Sequence, residues 1–226
     1  MELESRKRMQ RQYLNEGWQF IDNFREEYIR TAFHESDESA DLYQTIRIPH
    51  TVKEVPFHYF DEEEYQMVST YRRMLYIPKE WEKKSIILTF EGAAHKAEVY
   101  VNGQRAAEHA CGYTAFSIEL SGFVEYGKEN LLVVKLDSRE SLNIPPFGFV
   151  IDYMTFGGIY RDVYLEIGEQ THISDIFVRT QLLVDDHAKL RVDLTLYENL
   201  KLINSYKGVG ISIYLQPDRT GDARDT

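Results

Sequence analysis

The run FGGIYRDVYLEI at residues 156–167 constrains the fold most tightly. After Gly157-Gly158, the side chains of Ile159, Val163, Leu165 and Ile167 fall on one face, and Tyr160, Asp162, Tyr164 and Glu166 fall on the other. This is the period-2 pattern of a half-buried strand. Arg161 shares the apolar face, so it must lie at a rim or find a polar partner. The adjacent glycines permit a positive φ or a close backbone approach, so the strand is entered through a sharp bend. Asp152 stands just upstream, in FVIDYMT. Local physics leaves two readings open: a loop that simply turns into a core strand, or a bend that aims Asp152 outward at a ligand.

Further strands are readable at 71–77, 85–91, 97–101, 113–120 and 130–136. Asn102-Gly103 directly follows EVYV and suits a type I′ hairpin turn. The connectors PKEWEKK, SGFVEYGKEN and DSRESLNIPPFG carry turn residues. LNEGWQF at 14–20 reads as a turn feeding an edge strand, 22–33 has weak helical spacing, and 34–42 is a polar loop. Short strands with few helices predict an all-β sandwich or barrel. A second set of alternating runs follows near Thr171: ISDIFVRTQL, AKLRVDLTLYE and GVGISIYLQ. These look like the opening strands of a second sandwich. The expected organisation is a lead-in at 1–12, a first domain at 13–170, and a partial second domain at 171–226.

Composition narrows the function. A formal charge of −11 argues against a phosphate-binding surface, so neither nucleic acid nor an anionic membrane is an expected partner. The single Cys111 excludes an internal disulfide. No run reaches the roughly 18–20 apolar residues of a membrane span, and the first residues hold no signal-peptide core, so a cytoplasmic location is expected. Phosphate-loop, HExxH and GxSxG signatures do not occur. His109 and Cys111 would share one side of an extended segment, but two ligands fall short of a zinc site, so no metal or other cofactor is expected. The acidic run DEEE at 61–64 reads as a solvated face. PFHYFDEEEYQ at 56–66 gathers Phe57, Tyr59, Phe60 and Tyr65 with His58 and Gln66. Rings with polar tips suit a pyranose, although they serve equally to tack a loop to a sandwich.

Seven pieces in order, LNEGWQF, IRIPHTV, STYRRMLYIP, LTFEGAAHKAEVYVNG, EHACGYTAFSIEL, ENLLVVKLDS and FGGIYRDVYLEI, resemble the N-terminal domain of glycoside hydrolase family 2. That family contains β-galactosidases, β-glucuronidases and β-mannosidases. The resemblance covers roughly residues 13–170 and implies a jelly-roll, galactose-binding-like β-sandwich. An incomplete immunoglobulin-like sandwich would follow, and then a TIM barrel bearing two catalytic glutamates. A barrel of this type needs about 250 residues, more than this whole chain, so the chain is expected to be inactive alone. The family's aspartate ahead of the small-Gly pair reaches into the barrel's pocket and bonds substrate hydroxyls; Asp152 holds that position here. β-galactosidase members also place an asparagine just before the strand that corresponds to Tyr71–Ile77, and Gln66 lies near that point. The chain departs from the family at Ser69-Thr70, where Gly-Trp or Gly-Tyr is usual. It departs again at Cys111-Gly112-Tyr113-Thr114-Ala115-Phe116, where the family has Gly-Gly-Tyr-Thr-Pro-Phe. These departures bear on which sugar is taken.

The implied partners are a carbohydrate, such as a β-galactoside, and the barrel of a parent chain. Self-association into an oligomer is a further expectation, since a partial second sandwich leaves strand edges unpaired. The competing functions are a free-standing carbohydrate-binding module gripping glycan with loop 56–66, and a sandwich used for protein contact.

Overall fold

The computed structural model describes residues 9–30, 43–58, 61–145, 147, 153–182, 188–198 and 201–202. The chain divides into two compact units, Met1–His172 and Ile173–Thr226.

Among the described residues, ten strands build the first unit. They are β1 (Gln10–Tyr13), β2 (Trp18–Ile21), β3 (Gln44–Ile46), β4 (Val68–Ile77), β5 (Lys84–Phe90), β6 (Lys96–Val101), β7 (Gln104–Ala110), β8 (Phe116–Glu119), β9 (Lys128–Asp137) and β10 (Val163–Glu169). Two sheets form, in the orders β1-β10-β5-β8 and β3-β2-β4-β9-β6-β7. Every registered pair is antiparallel. From β4 to β6, and again from β7 to β10, the chain steps from one sheet to the other with each successive strand. Alternation along the strands sends Ile86, Leu88, Phe90, Val163, Leu165 and Ile167 inward from one sheet. Tyr71, Leu75, Ile77, Ala97, Val99, Leu132, Val134 and Leu136 meet them from the other in one continuous core. The architecture is the expected all-β sandwich.

The Asn102-Gly103 hairpin forms as read, with φ of 50° and 81° and Val101 opposite Gln104. Asn102 is held further by its own side chain, whose Oδ1 accepts from Leu131 N and whose Nδ2 donates to Asn130. Trp18 is wholly buried, and its indole donates to Leu14 O at 2.5 Å. Arg73 donates to the same carbonyl at 2.7 Å from the inner face of β4.

Three expectations shift. β2 is an inner strand and not an edge, because the short polar β3 pairs along its outer side. Residues 10–12 are not a loose lead-in: β1 pairs with β10 from Gln10↔Ile167 to Tyr13↔Tyr164. Arg11 covers the Tyr164 ring at 4.0 Å and bonds Glu166, which ties this edge down. The strand expected at 113–120 is shorter, Phe116–Glu119. Of the 22–33 stretch, the described residues 22–30 contain a short 3-10 turn, Glu26–Ile29.

In the second unit β12 (Ala188–Glu198) lies between β11 (Thr171–Leu182) and β13 (Lys201–Leu202). Arg179 and Arg191 both engage Asp193, and Ser174 Oγ donates to Thr195 O. The run GVGISIYLQ lies outside the described residues.

Candidate functional site

Gly157-Gly158 fixes one end of the first unit. Val52 N donates to Gly157 O at 3.0 Å, and His50 N donates to Ile159 O at 2.8 Å. On the other side Ala94 N donates to Gly158 O at 2.9 Å, so the glycines thread between two backbone segments. Gly158 has φ +134°, and a Cβ there would lie 2.3 Å from His50 O. Both features anticipated for this pair, positive φ and close approach, are present. The strand proper then starts at Val163. Arg161 sits exposed in the preceding loop over the Tyr160 ring, which is the rim placement its pattern required.

Beside the glycines opens a cavity of about 340 Å³. Tyr153, Met154, Thr155 and Phe156 form one wall, with Tyr113, Tyr160, His95, Ala94 and Thr51 around the rest. Tyr113 and Tyr153 share a hydroxyl–hydroxyl bond of 3.0 Å. Burial, then the bond to Tyr153, push the Tyr113 hydroxyl up to about 12, so it stays neutral near pH 7. Tyr160 donates to Gly112 O at 2.5 Å, and its ring lies where a side chain at Gly92 would go, with Cζ 2.9 Å from that Cβ position. Likewise His95 Nδ1 lies 2.9 Å from a Cβ at Gly112. Two glycines therefore make room for the rings that define the cavity.

His95 is 3% exposed, and among the described residues neither ring nitrogen has a hydrogen-bond partner. Burial holds it below the usual histidine range, partly offset by the charges of Glu140 and Asp137. His50, whose Nδ1 lies 2.9 Å from Tyr71 Oη, is likewise lowered by burial. Glu140 ties the wall to its base: its carboxylate accepts from Thr155 Oγ1 at 2.7 Å. Phe156 meets the buried Tyr65 edge-on at 6.1 Å.

These shifts have a consequence for stability. The unfolded chain takes up protons on its histidines as pH falls through about 6.5, whereas folded His50 and His95 resist until lower pH. Stability is therefore expected to fall from pH 7.5 to 5.5. A lower Tm at 5.5 by calorimetry, with a shallower slope in His95→Gln, is the expected result; a Tm that rises on acidification would contradict it.

Of the anticipated site residues, Asp152 lies outside the described residues, although Tyr153–Phe156 follow it directly in sequence. Gln66 caps the 3-10 turn Glu62–Tyr65, and its Oε1 accepts from Glu140 N at 3.4 Å. This leaves the amide nitrogen as the group it can offer a ligand. Gln66 thus stands one residue contact behind the cavity wall. Loop 56–66 does not present its described rings together: Phe57 is fully exposed, while Tyr65 is buried and donates to Glu54 O. Tyr59 and Phe60 lie outside the described residues. Glu62, Glu63 and Glu64 are exposed, as a solvated face should be. His109 bonds Thr114 Oγ1 at 2.8 Å and stacks on Phe116. Among the described residues no group of three or more His, Cys, Asp or Glu could hold a metal ion. Sequence reasoning missed His95, Tyr113, Tyr153 and Tyr160; the glycines at 92 and 112, which the rings lie against, were the available signal.

Residues 14–167 match the model of the glycosyl hydrolases family 2 sugar binding domain. A β-galactosidase of Thermoanaerobacter pseudethanolicus is 38% identical over 183 residues, covering 80% of this chain and 24% of that protein. A β-galactosidase of Thermoanaerobacterium thermosulfurigenes is 38% identical over 188 residues, covering 83% and 25%. The solved β-glucuronidase of Bacteroides uniformis superposes with a TM-score of 0.71 at 30% identity, covering 83% of this chain and 22% of that one. The chain thus spans about a quarter of the length of the curated relatives it matches. On this match, and on the antiparallel sandwich that carries it, the chain belongs to glycoside hydrolase family 2, with residues 14–167 as its sugar-binding domain.

Proposed function

We propose that this chain is the substrate-facing front end of a β-galactosidase-like glycosidase. Asp152 and Gln66 bond sugar hydroxyls in this reading, and the catalytic carboxylates are supplied by a barrel of the parent protein. The observation that carries the reading is the aromatic cavity whose wall, Tyr153–Phe156, continues directly from Asp152. Gly157-Gly158 anchors that wall between two backbone segments, which gives Tyr153–Phe156 a fixed base. The β-galactosidases among the relatives support the substrate class.

Retaining hydrolysis needs two carboxyl groups about 5–5.5 Å apart across the scissile bond, on a scaffold that this sandwich does not provide. The chain by itself is therefore expected not to hydrolyse aryl β-galactosides, whereas the same chain continued through a barrel should. Turnover that scales with the concentration of the 226-residue chain would contradict this reading.

A further inference from the structure

The chain leaves β9 through the four residues DSRE, 137–140, and the first of them shapes the turn. Asp137 Oδ1 accepts from Arg139 N at 3.1 Å, a side-chain bond to the backbone two residues on. The Arg139 guanidinium closes on the same carboxylate at 2.8 and 2.6 Å, and Asp137 O accepts from His95 N at 3.0 Å. The turn leaves Arg139 exposed and buries Ser138, which is 2% exposed. Ser138 then bonds the residues on both sides of Gln66. Its hydroxyl donates to Tyr65 O at 2.8 Å, lies 3.1 Å from Met67 O and accepts from Met67 N at 3.2 Å. Its backbone N donates to Met67 O at 2.9 Å, while Gln66 N is taken up by Glu63 O at 3.1 Å.

Glu140 completes the clasp in two directions. Its backbone N–H can only donate, so the Gln66 atom that meets it at 3.4 Å must be the amide oxygen, and the amide nitrogen is left for a ligand. Its carboxylate accepts from Thr155 Oγ1 at 2.7 Å in the Tyr153–Phe156 wall. Ser138 touches the same wall from below, since its Cβ stands 2.2 Å from where a Cβ at Gly157 would go. One short turn therefore holds both the Gln66 segment and the wall. We propose that Ser138 and Glu140 are positioning residues for the sugar-facing end: Ser138 sets the Gln66 backbone, and Glu140 orients the Gln66 amide as a donor and ties it to the wall through Thr155. An amide held this way meets an acceptor, a sugar oxygen. This rests on the reading of Gln66 as a sugar contact and adds to it two residues that act through others.

The test is a double-mutant cycle on kcat/KM with an aryl β-galactoside, in the protein that continues this chain through its barrel. Gln66→Ala alone should lower kcat/KM about three- to tenfold, the worth of one neutral hydrogen bond. Ser138→Ala should lower it about threefold or more in the parent, yet by less than about 1.5-fold once Gln66 is already alanine. A purely structural serine would cost the same in both backgrounds. Glu140→Ala should cost about threefold or more, whereas Glu140→Gln, which keeps a side-chain oxygen for Thr155, should stay within about twofold of the parent. Thermal unfolding of each variant confirms that it is folded at the assay temperature, and if Ser138→Ala is not, the Glu140 pair decides. Equal losses from Ser138→Ala in both backgrounds, a folded Ser138→Ala with parental kcat/KM, or a Glu140→Gln as impaired as Glu140→Ala would overturn the proposal while an impaired Gln66→Ala leaves the reading of Gln66 standing. A Gln66→Ala with parental kcat/KM would overturn both.

Discussion

Gly158→Ala is expected to destabilise the first unit by about 2–5 kcal/mol, adding the cost of overpacking to that of a backbone conformation disfavoured for residues with a Cβ. At φ +134° a Cβ would stand 2.3 Å from His50 O and 2.9 Å from Thr51 Cα. Both obstacles are backbone. They are fixed in turn by the bonds His50 N to Ile159 O and Val52 N to Gly157 O, so the neighbours cannot step aside without breaking the threading of this segment. Gly157→Ala meets a different obstacle, Ser138 Cβ at 2.2 Å, and Ser138 is pinned by its hydroxyl to the Tyr65 and Met67 carbonyls. For a unit of this size the loss corresponds to a fall in Tm of about 5–20 °C. Gly122→Ala is the control: nothing lies within 4 Å of its Cβ position, and its Tm should move by no more than about 2 °C. Gly158→Ala as stable as Gly122→Ala would mean that the segment is not clamped as described.

How much of this could be read from sequence depended on where each strand lies in its sheet. Val163, Leu165 and Ile167 show their burial by alternation because β10 sits between β1 and β5 with one face on the core. β1, β3 and β7, with sequences QRQY, QTI and QRAAEHA, lie at sheet edges. Their pairing is made by backbone bonds, so their polar side chains carry no period-2 signal. Trp18 and Phe20 are buried in a four-residue strand, too short for its inner position to be legible without the β3 partner. In CGYTAFSIEL the alternation changes phase between Ala115 and Phe116, and the strand begins at Phe116, while Gly112 is given over to the His95 ring.

The site was legible in a narrower sense. Gly157-Gly158 announced a close approach, which the His50 and Ala94 segments make on either side. The cavity itself brings Tyr113 to Tyr153, forty residues apart, and places His95 beneath them. Such contacts depend on loops from different strand ends meeting, which no local pattern encodes. Gln66 was singled out by its position ahead of β4. Its side-chain oxygen is occupied by Glu140 N, so it contributes to the wall's support whatever its amide nitrogen does.

The second large effect concerns Asp152, in a protein that continues this chain through its barrel. A carboxylate bonded to a substrate hydroxyl contributes roughly 1.5–3 kcal/mol, and its loss corresponds to about a ten- to hundredfold fall in rate. Because the anchoring glycines, Ser138 and the Tyr65–Phe156 contact all lie outside residue 152, the substitution should leave the sandwich intact. Its thermal unfolding should therefore match the parent's, which separates this effect from that of Gly158→Ala. The decisive measurement is kcat/KM of Asp152→Ala against the unsubstituted barrel-containing enzyme on an aryl β-galactoside. A fall of about ten- to hundredfold at unchanged Tm is the predicted result; a value within about twofold of the parent would contradict the account.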